Sequence, residues 1–305
     1  MPKHYDRLII DGNNFLFRAF YIKRPERTIN GVNVAPIQQF LTMLKTSVNR
    51  FRPTEIVLTW DKKLNPGKKN FRKDLVAYKE QRVENEKTVQ LFASIEHLQK
   101  FIDNLGIKTV YPSCMEADDV VRYLTLDDKL QTIVVSSDQD LLQLVRENVN
   151  VYLPNKDLVV DDHNFESIVL VRKEIFLLYK CIMGDVSDNI IGLEKFGKVR
   201  AKALAEKLFV NGKIDFTDSG LSEEQIAIIN RNMLCVDLRQ TEITCPEEYE
   251  SYREQEKVIK TFNSDILKDL FTDYEMPALL KSFGEWNNLF NRDKDMNDIL
   301  SFMVM

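Results

Sequence analysis

An α/β fold with a central, mostly parallel sheet flanked by helices is predicted by three features of the chain. Short β-branched runs occur without apolar–polar alternation, helical patterns lie between them, and each run ends in an aspartate. A strand covered on both faces has no polar side to show, so unbroken apolar runs mark the buried parallel strands of βαβ units.

The first run, Leu8-Ile9-Ile10, leads into Asp11-Gly12-Asn13-Asn14. A helical pattern over Gln38–Phe51 follows, and then Glu55–Trp60 runs into Asp61. A second helix is expected over Thr88–Leu105. Met115-Glu116-Ala117-Asp118-Asp119 precedes the apolar Val120–Leu124 and reads as a helix start, where free N–H groups and the macrodipole favour carboxylates. Thr132–Ser137 then runs into Asp138-Gln139-Asp140. In open α/β sheets the carboxyl ends of the strands form the ligand crevice, so Asp11, Asp61 and Asp138 are expected there together. From about Glu174 the pattern turns helical, over Glu174–Met183, Val199–Phe209, Glu223–Asn232 and Asp265–Leu270. The expected division is an α/β core over 1–172 and a helical part over 173–305. No Pro/Gly/Ser-rich linker separates them, so the helical part is expected to pack on the sheet.

Composition narrows the class. The chain has 305 residues, 44% hydrophobic and 29% charged, enough to bury a real core and unlike a disordered or fibrous protein. Its apolar runs are too short to span a bilayer, and the N-terminus lacks the apolar core of a signal peptide, so a cytoplasmic protein is expected. The four cysteines (Cys114, Cys181, Cys235 and Cys245) share no CxxC spacing, and His4, His97 and His163 are isolated, which disfavours zinc. A net charge of −5 argues superficially against nucleic acid, but what matters is where each sign sits.

The acidic residues carry the sharpest signal. Singly, an aspartate after a strand is most often a turn or cap residue. Convergence of Asp11, Asp61, Glu116, Asp118, Asp119, Asp138, Asp140, Asp185 and Asp188 is another matter, because two like charges 4 Å apart repel by about 4 kcal/mol at an effective dielectric of 20. Either several are protonated or divalent cations lie among them. Oxygen ligands without His or Cys point to Mg²⁺ or Mn²⁺ and suit two-metal phosphoryl chemistry.

Two basic elements oppose this cluster. Between Lys62 and Arg82, eight cations (Lys62, Lys63, Lys68, Lys69, Arg72, Lys73, Lys79 and Arg82) face only Asp74 and Glu80. Phe71 and Tyr78 interleave with them, combining phosphate neutralisation with faces for base stacking, though such runs are also ordinary solvated loops. Further on, Gly192 and Gly197 flank a tight hairpin beside Lys195, Lys198 and Lys202, with a helix opening after the second glycine. Its N–H groups suit a phosphate, as in a helix-hairpin-helix motif.

Asp11-Gly12-Asn13, Trp60-Asp61, Tyr78-Lys79-Glu80-Gln81-Arg82, Glu116-Ala117-Asp118-Asp119, Ser137-Asp138-Gln139-Asp140 and Gly184-Asp185-Val186-Ser187-Asp188-Asn189 occur in that order. Over roughly residues 5–240 the chain resembles the structure-specific 5′-nucleases: flap endonucleases, phage 5′-exonucleases and phage ribonuclease H, and the 5′-nuclease domain of bacterial DNA polymerase I. Its length leaves no room for a polymerase, so it is similar to the free-standing phage enzymes. The resemblance implies a PIN-like core and a helical arch over about 62–100, with a helix-hairpin-helix over about 184–210. It implies Asp11, Asp61, Glu116 and Asp118 at one Mg²⁺, and Asp119, Asp138, Asp140, Asp185 and Asp188 around a second, some through water. The resemblance also implies that Mn²⁺ serves in place of Mg²⁺. Lys79 and Arg82 match the family's basic pair at the scissile phosphate, and Tyr78 an aromatic on which a terminal base stacks. Arg72 and the hairpin residues Gly192, Lys195, Gly197, Lys198 and Lys202 would contact DNA, with K⁺ at the hairpin in some members.

The expected reaction is hydrolysis near 5′ ends of branched or nicked DNA, or of RNA paired to DNA as in primer removal, by a monomer in replication and repair. The spacing from Phe71-Arg72 to Tyr78-Lys79 is about one residue short of the family's, and nothing after about residue 245 matches. The tail Ile299–Met305 could dock a sliding clamp or single-strand-binding protein, or pack on its own domain. Three other readings compete. An RNA-cleaving PIN nuclease would lack the hairpin and the Gly-Asp-x-x-Asp-Asn set. An aspartyl-phosphate phosphatase would want Asp where Asn13 stands. A non-cutting DNA-structure-binding scaffold of the same fold would have lost ligands.

Overall fold

The computed structural model of the chain describes residues 4–22, 24–29, 31–61, 70–80 and 86–291, with the backbone alone at 86 and 87. β1 (Arg7–Asp11) runs straight into α1 (Gly12–Tyr21), and the small hairpin β2 (Thr28–Ile29) and β3 (Val32–Asn33) leads to α2 (Val34–Phe51). β4 (Glu55–Thr59), the short α3 (Arg72–Leu75), α4 (Glu86–Asn104), β5 (Lys108–Val110), α5 (Ala117–Leu124) and β6 (Thr132–Val135) follow. A 3₁₀ turn over Asp140–Leu144 precedes the hairpin β7 (Val149–Leu153) and β8 (Leu158–Val160), then α6 (Phe165–Val169). The helical part holds α7 (Lys173–Met183), β9 (Gly184–Asp185), β10 (Ile190–Ile191), α8 (Lys198–Leu208), β11 (Phe209–Val210), β12 (Lys213–Ile214) and α9 (Glu223–Val236). It closes with α10 (Gln240–Thr244), α11 (Pro246–Glu256), α12 (Ser264–Asp273), α13 (Pro277–Lys281) and α14 (Phe283–Phe290).

The main sheet runs β5-β4-β1-β6-β7-β8, parallel throughout except for the antiparallel edge strand β8. The three strands legible in the sequence are its central three. β1 sends Leu8 and Ile10 into the core of one face and Ile9 into the other, which is why its apolar run does not alternate. Chain order reverses across β1, with β4 on one side and β6 on the other. Such a switch point opens a crevice beyond the strand ends. The register sets Asp11 level with Thr59, two residues before Asp61, and Ile10 level with Val135, three before Asp138.

Gly12 makes the turn from β1 into α1 possible. A Cβ there would lie 2.6 Å from both the Thr59 carbonyl oxygen and a Trp60 ring carbon. The helical part shares its cores with the sheet. Phe271, Trp286 and Phe290 of α12 and α14 belong to the same cluster as Leu44 of α2 and Phe101 of α4, while Tyr249 and Tyr252 of α11 pack with Ile9 and Val57 on the other face. α7, α8 and α9 form a third cluster that also takes in Tyr78. Among the described residues no helix is long and apolar enough to cross a membrane. The tail Ile299–Met305 lies outside the described residues.

Candidate active site

Eight carboxylates line one cavity of about 620 Å³ at the strand ends: Asp11, Asp61, Glu116, Asp118, Asp138, Asp140, Asp185 and Asp188. Asp11 caps α1, accepting from the Asn14 N–H at 3.1 Å, and its other oxygen accepts from the Ser136 hydroxyl at 2.8 Å. Asp61 accepts from the Ala117 N–H at 2.8 Å, tying β4's end to the start of α5. Asp138 accepts from the Asp140 N–H at 2.8 Å, so the two lie on one tight turn. Asp185 and Asp188 arrive on the β9–β10 hairpin. The Ala77–Lys79 turn is stitched to that hairpin, because the Lys79 N–H donates to the Asp188 carbonyl at 3.1 Å and Asn189 Nδ2 to the Ala77 carbonyl at 2.8 Å.

The electrostatics divide the cluster. Burial, reinforced by Asp61 and Asp138, pushes Asp11 up to about 7 despite its hydrogen bonds to Ser136 and Asn14. Burial likewise raises Asp118, which faces Asp138 and Asp11. The nearby Lys79 ammonium offsets part of the rise at Asp118. The remainder is partly neutralised. Lys79 reaches Glu116 at 2.6 Å and Asp188 at 3.6 Å. Lys180 lies between Asp140 at 2.7 Å and Asp185 at 3.1 Å. Burial still lifts Asp140 to about 6 against the pull of Lys180. Asp185 stays below the usual carboxylate range, because Ser187 and Lys180 outweigh its burial. Among the described residues no three acidic, His or Cys side chains already stand as one ion's ligand set. Several oxygens are occupied by Lys79, Lys180 and backbone donors.

Three expected site residues do something else. Asp119 is fully buried and absent from the cavity lining, with both oxygens taken by the Arg72 guanidinium at 2.8 and 2.9 Å. It also accepts from the Thr241 hydroxyl at 2.5 Å and, as a capping-box partner, from the Glu116 N–H at 3.1 Å. Arg72 is 1% exposed, with its Nε donating to the Cys235 carbonyl at 2.8 Å, so it braces the interior and presents no face to DNA. Tyr78 is 5% exposed, its hydroxyl donating to Glu116 at 2.7 Å and Asp188 at 3.2 Å and its ring covered by Lys79. A ring enclosed in this way offers no platform to a base. Arg82, with Lys62, Lys63, Lys68 and Lys69, on which much of the expected arch falls, lies outside the described residues.

The expected hairpin element comprises α7, the β9–β10 hairpin and α8. Its two glycines have different work. A Cβ on Gly192 would lie 2.2 Å from the Met183 carbonyl oxygen, so Gly192 allows the hairpin to cross its own root. Gly197 has nothing within 4 Å of a built Cβ and stands at the uncapped start of α8. Lys195, in left-handed backbone, and Lys198 are exposed, and Lys202 faces Glu206 at 4.0 Å. Sequence reasoning missed Lys180, whose five-residue offset from Asp185 follows no motif. It also missed Phe17 and Phe92, which line the cavity from α1 and α4.

The family model for the 5′-3′ exonuclease N-terminal resolvase-like domain matches residues 6–169. The chain is 32% identical over 208 residues to the 5′-3′ exonuclease of Bacillus subtilis, covering 65% of this chain and 68% of that one. It is 31% identical over 216 residues to DNA polymerase I of Lactococcus lactis, covering 65% of this chain and 24% of the polymerase. In fold it is similar to the bacteriophage T5 flap endonuclease, solved in a pseudo-enzyme-product complex with DNA and metal ions. That likeness has a TM-score of 0.62 at 20% identity and covers 88% of this chain and 99% of the phage enzyme.

Proposed function

The chain belongs to the 5′-3′ exonuclease family and is a 5′ nuclease, and from that premise we propose that it hydrolyses phosphodiesters near the 5′ ends of branched or nicked DNA with divalent metal. One observation carries the reading: eight carboxylates drawn from five separated stretches of sequence line a single cavity at the sheet's switch point. The donor set fits a hard cation. It consists of oxygens alone, and burial together with the charges of Asp61 and Asp138 lifts Asp11 to about 7, a cost that a divalent ion would relieve. Asp11, Glu116, Asp118 and Asp138 are proposed to hold one Mg²⁺, and Asp138, Asp140, Asp185 and Asp188 another, with Asp61 supporting the first through the start of α5. When bound, the ions supply a water ionised at neutral pH and charge neutralisation at the scissile phosphate.

The chain's own residues do the rest. Lys79 sits in left-handed backbone, and its ammonium is aimed into the cavity by Glu116 and Asp188. A cation preorganised there offsets the charge that grows on the phosphate during displacement. Gly197, the exposed Lys195 and Lys198 and the half-buried Lys202 are proposed to hold duplex through its backbone, without base readout, K⁺ sharing the turn. An RNA–DNA hybrid presents the same backbone chemistry and is proposed as a second substrate. A labelled 5′-flap, a nicked duplex and a hybrid, each incubated with Mg²⁺ or EDTA, test the proposal. Metal-dependent release of 5′ fragments is expected. Tight binding without cutting would favour a scaffold that recognises DNA structure.

A further inference from the structure

Between β5 and α5 the chain runs as a strap, residues 111–115, that ends on Glu116. Its backbone has no strand beside it, and its polar groups are met by side chains of α11. Gln255 accepts from the Tyr111 N–H at 2.8 Å and donates to the Tyr111 carbonyl at 2.9 Å. Glu248, 0% exposed, accepts from the N–H groups of Ser113 and Cys114 at 2.9 and 3.0 Å. It also accepts from the Ser113 hydroxyl, the Cys114 thiol and the Tyr252 hydroxyl. Cys245, at the head of α11, packs on Cys114 and Met115. On the far side of Glu116, Thr241 of α10 donates to Asp119, which accepts the Glu116 N–H.

One segment, Thr241–Gln255, therefore grips the chain on both sides of Glu116 and Asp118 without itself lining the cavity. Glu248 has no ion-pair partner among the described residues, and its carboxyl is held below the usual glutamate range by neutral donors against its burial. An apolar residue would bury at less cost at that position. A carboxylate that collects five donors fixes the path of the strap, and with it the place where Glu116 leaves it. We propose that Glu248 and Thr241 are positioning residues of the metal centre, holding Glu116 and Asp118 in register for a divalent ion. The inference rests on the metal-dependent reading above and assigns a role to a stretch of chain beyond the recognisable motifs.

The test is the Mn²⁺ dissociation constant without DNA, read from the electron paramagnetic resonance of free Mn²⁺, alongside the melting midpoint. Loss of an outer-shell partner weakens metal binding by about 10–100-fold. Glu248→Gln and Thr241→Val are therefore expected to bind Mn²⁺ about tenfold more weakly. Thr241→Ser, which keeps the hydroxyl, should bind as the wild type does. Leu279→Ala removes a buried side chain of α13 from the core on the opposite face, and should lower the midpoint while leaving Mn²⁺ affinity within twofold. Unchanged affinity in Glu248→Gln and Thr241→Val, or equal weakening in Leu279→Ala, would overturn the positioning role alone. A wild-type protein that binds no Mn²⁺ would overturn the metal reading and this inference with it.

Discussion

Replacing Arg72 by Met removes the cation from a pair that water does not reach, its two side chains being 1% and 0% exposed. The parallel bonds to Asp119 at 2.9 and 2.8 Å vanish together with the Nε bond to the Cys235 carbonyl. Asp119 is left with the Thr241 hydroxyl and the Glu116 N–H, two neutral donors for a buried charge. Breaking a buried pair from one side costs about 3–5 kcal/mol. In a protein of this size each kcal/mol shifts the midpoint by about 2–4 °C, so Arg72→Met should melt roughly 10 °C lower. The pH dependence has a definite sign. Burial pushes the Asp119 carboxyl up, but Arg72 and the hydrogen bonds hold it below its ordinary value. Its contribution is therefore complete above about pH 4 and lost as the pH falls through the depressed native pKa. Melting curves of the wild type, Arg72→Met and Arg72→Met/Asp119→Leu at neutral and acid pH form the assay. The double variant should recover most of the loss at pH 7, and the wild type's advantage over Arg72→Met should shrink in acid. The structural account of Arg72 fails if the midpoint is unchanged while DNA binding weakens and its salt dependence becomes shallower by about one phosphate.

Lys79→Ala should slow single-turnover cleavage by about 10²–10³-fold while substrate binding changes little, and a variant that cleaves normally would remove Lys79 from the chemistry. Lys180→Met should tighten Mn²⁺ binding about fivefold, because an entering ion no longer competes with an ammonium pair worth about 1 kcal/mol; calorimetry would show equal affinity if Lys180 were a bystander. Asp11 carries its proton below about pH 7, so metal binding should weaken from pH 8 to pH 6 and release a proton at the lower pH. Titrations in buffers of differing ionisation enthalpy measure that release, and its absence would contradict the assignment of Asp11 as a ligand.

The strand-end aspartates were legible because each follows an unbroken apolar run, and the sheet places such ends side by side. Asp119 was misassigned for a reason the sequence does contain. Neighbouring helical residues point about 100° apart, so Asp118 and Asp119 cannot both face the cavity, and the second turned inward to Arg72. Tyr78 and Arg72 looked like nucleic-acid contacts by composition, whereas burial, which no local pattern reports, made them braces for the acidic cluster. The hairpin β7–β8 carried a readable signal in the Pro154-Asn155-Lys156-Asp157 turn between two apolar runs. α11 carried another, with Pro246 and two glutamates in its first turn. Lys180 had none, since the pairing of its ammonium with Asp140 depends on how α7 meets the 3₁₀ turn.

The last helices complete the first ones. Phe271, Trp286 and Phe290 close over a core begun by α2 and α4, some two hundred residues earlier in synthesis. At about 5–20 residues per second, a ribosome leaves that early surface uncovered for roughly ten to forty seconds. A growing chain must carry it open or hand it to a chaperone, and a transcript cut short before α12 would yield a sticky, unfinished product rather than a smaller working enzyme.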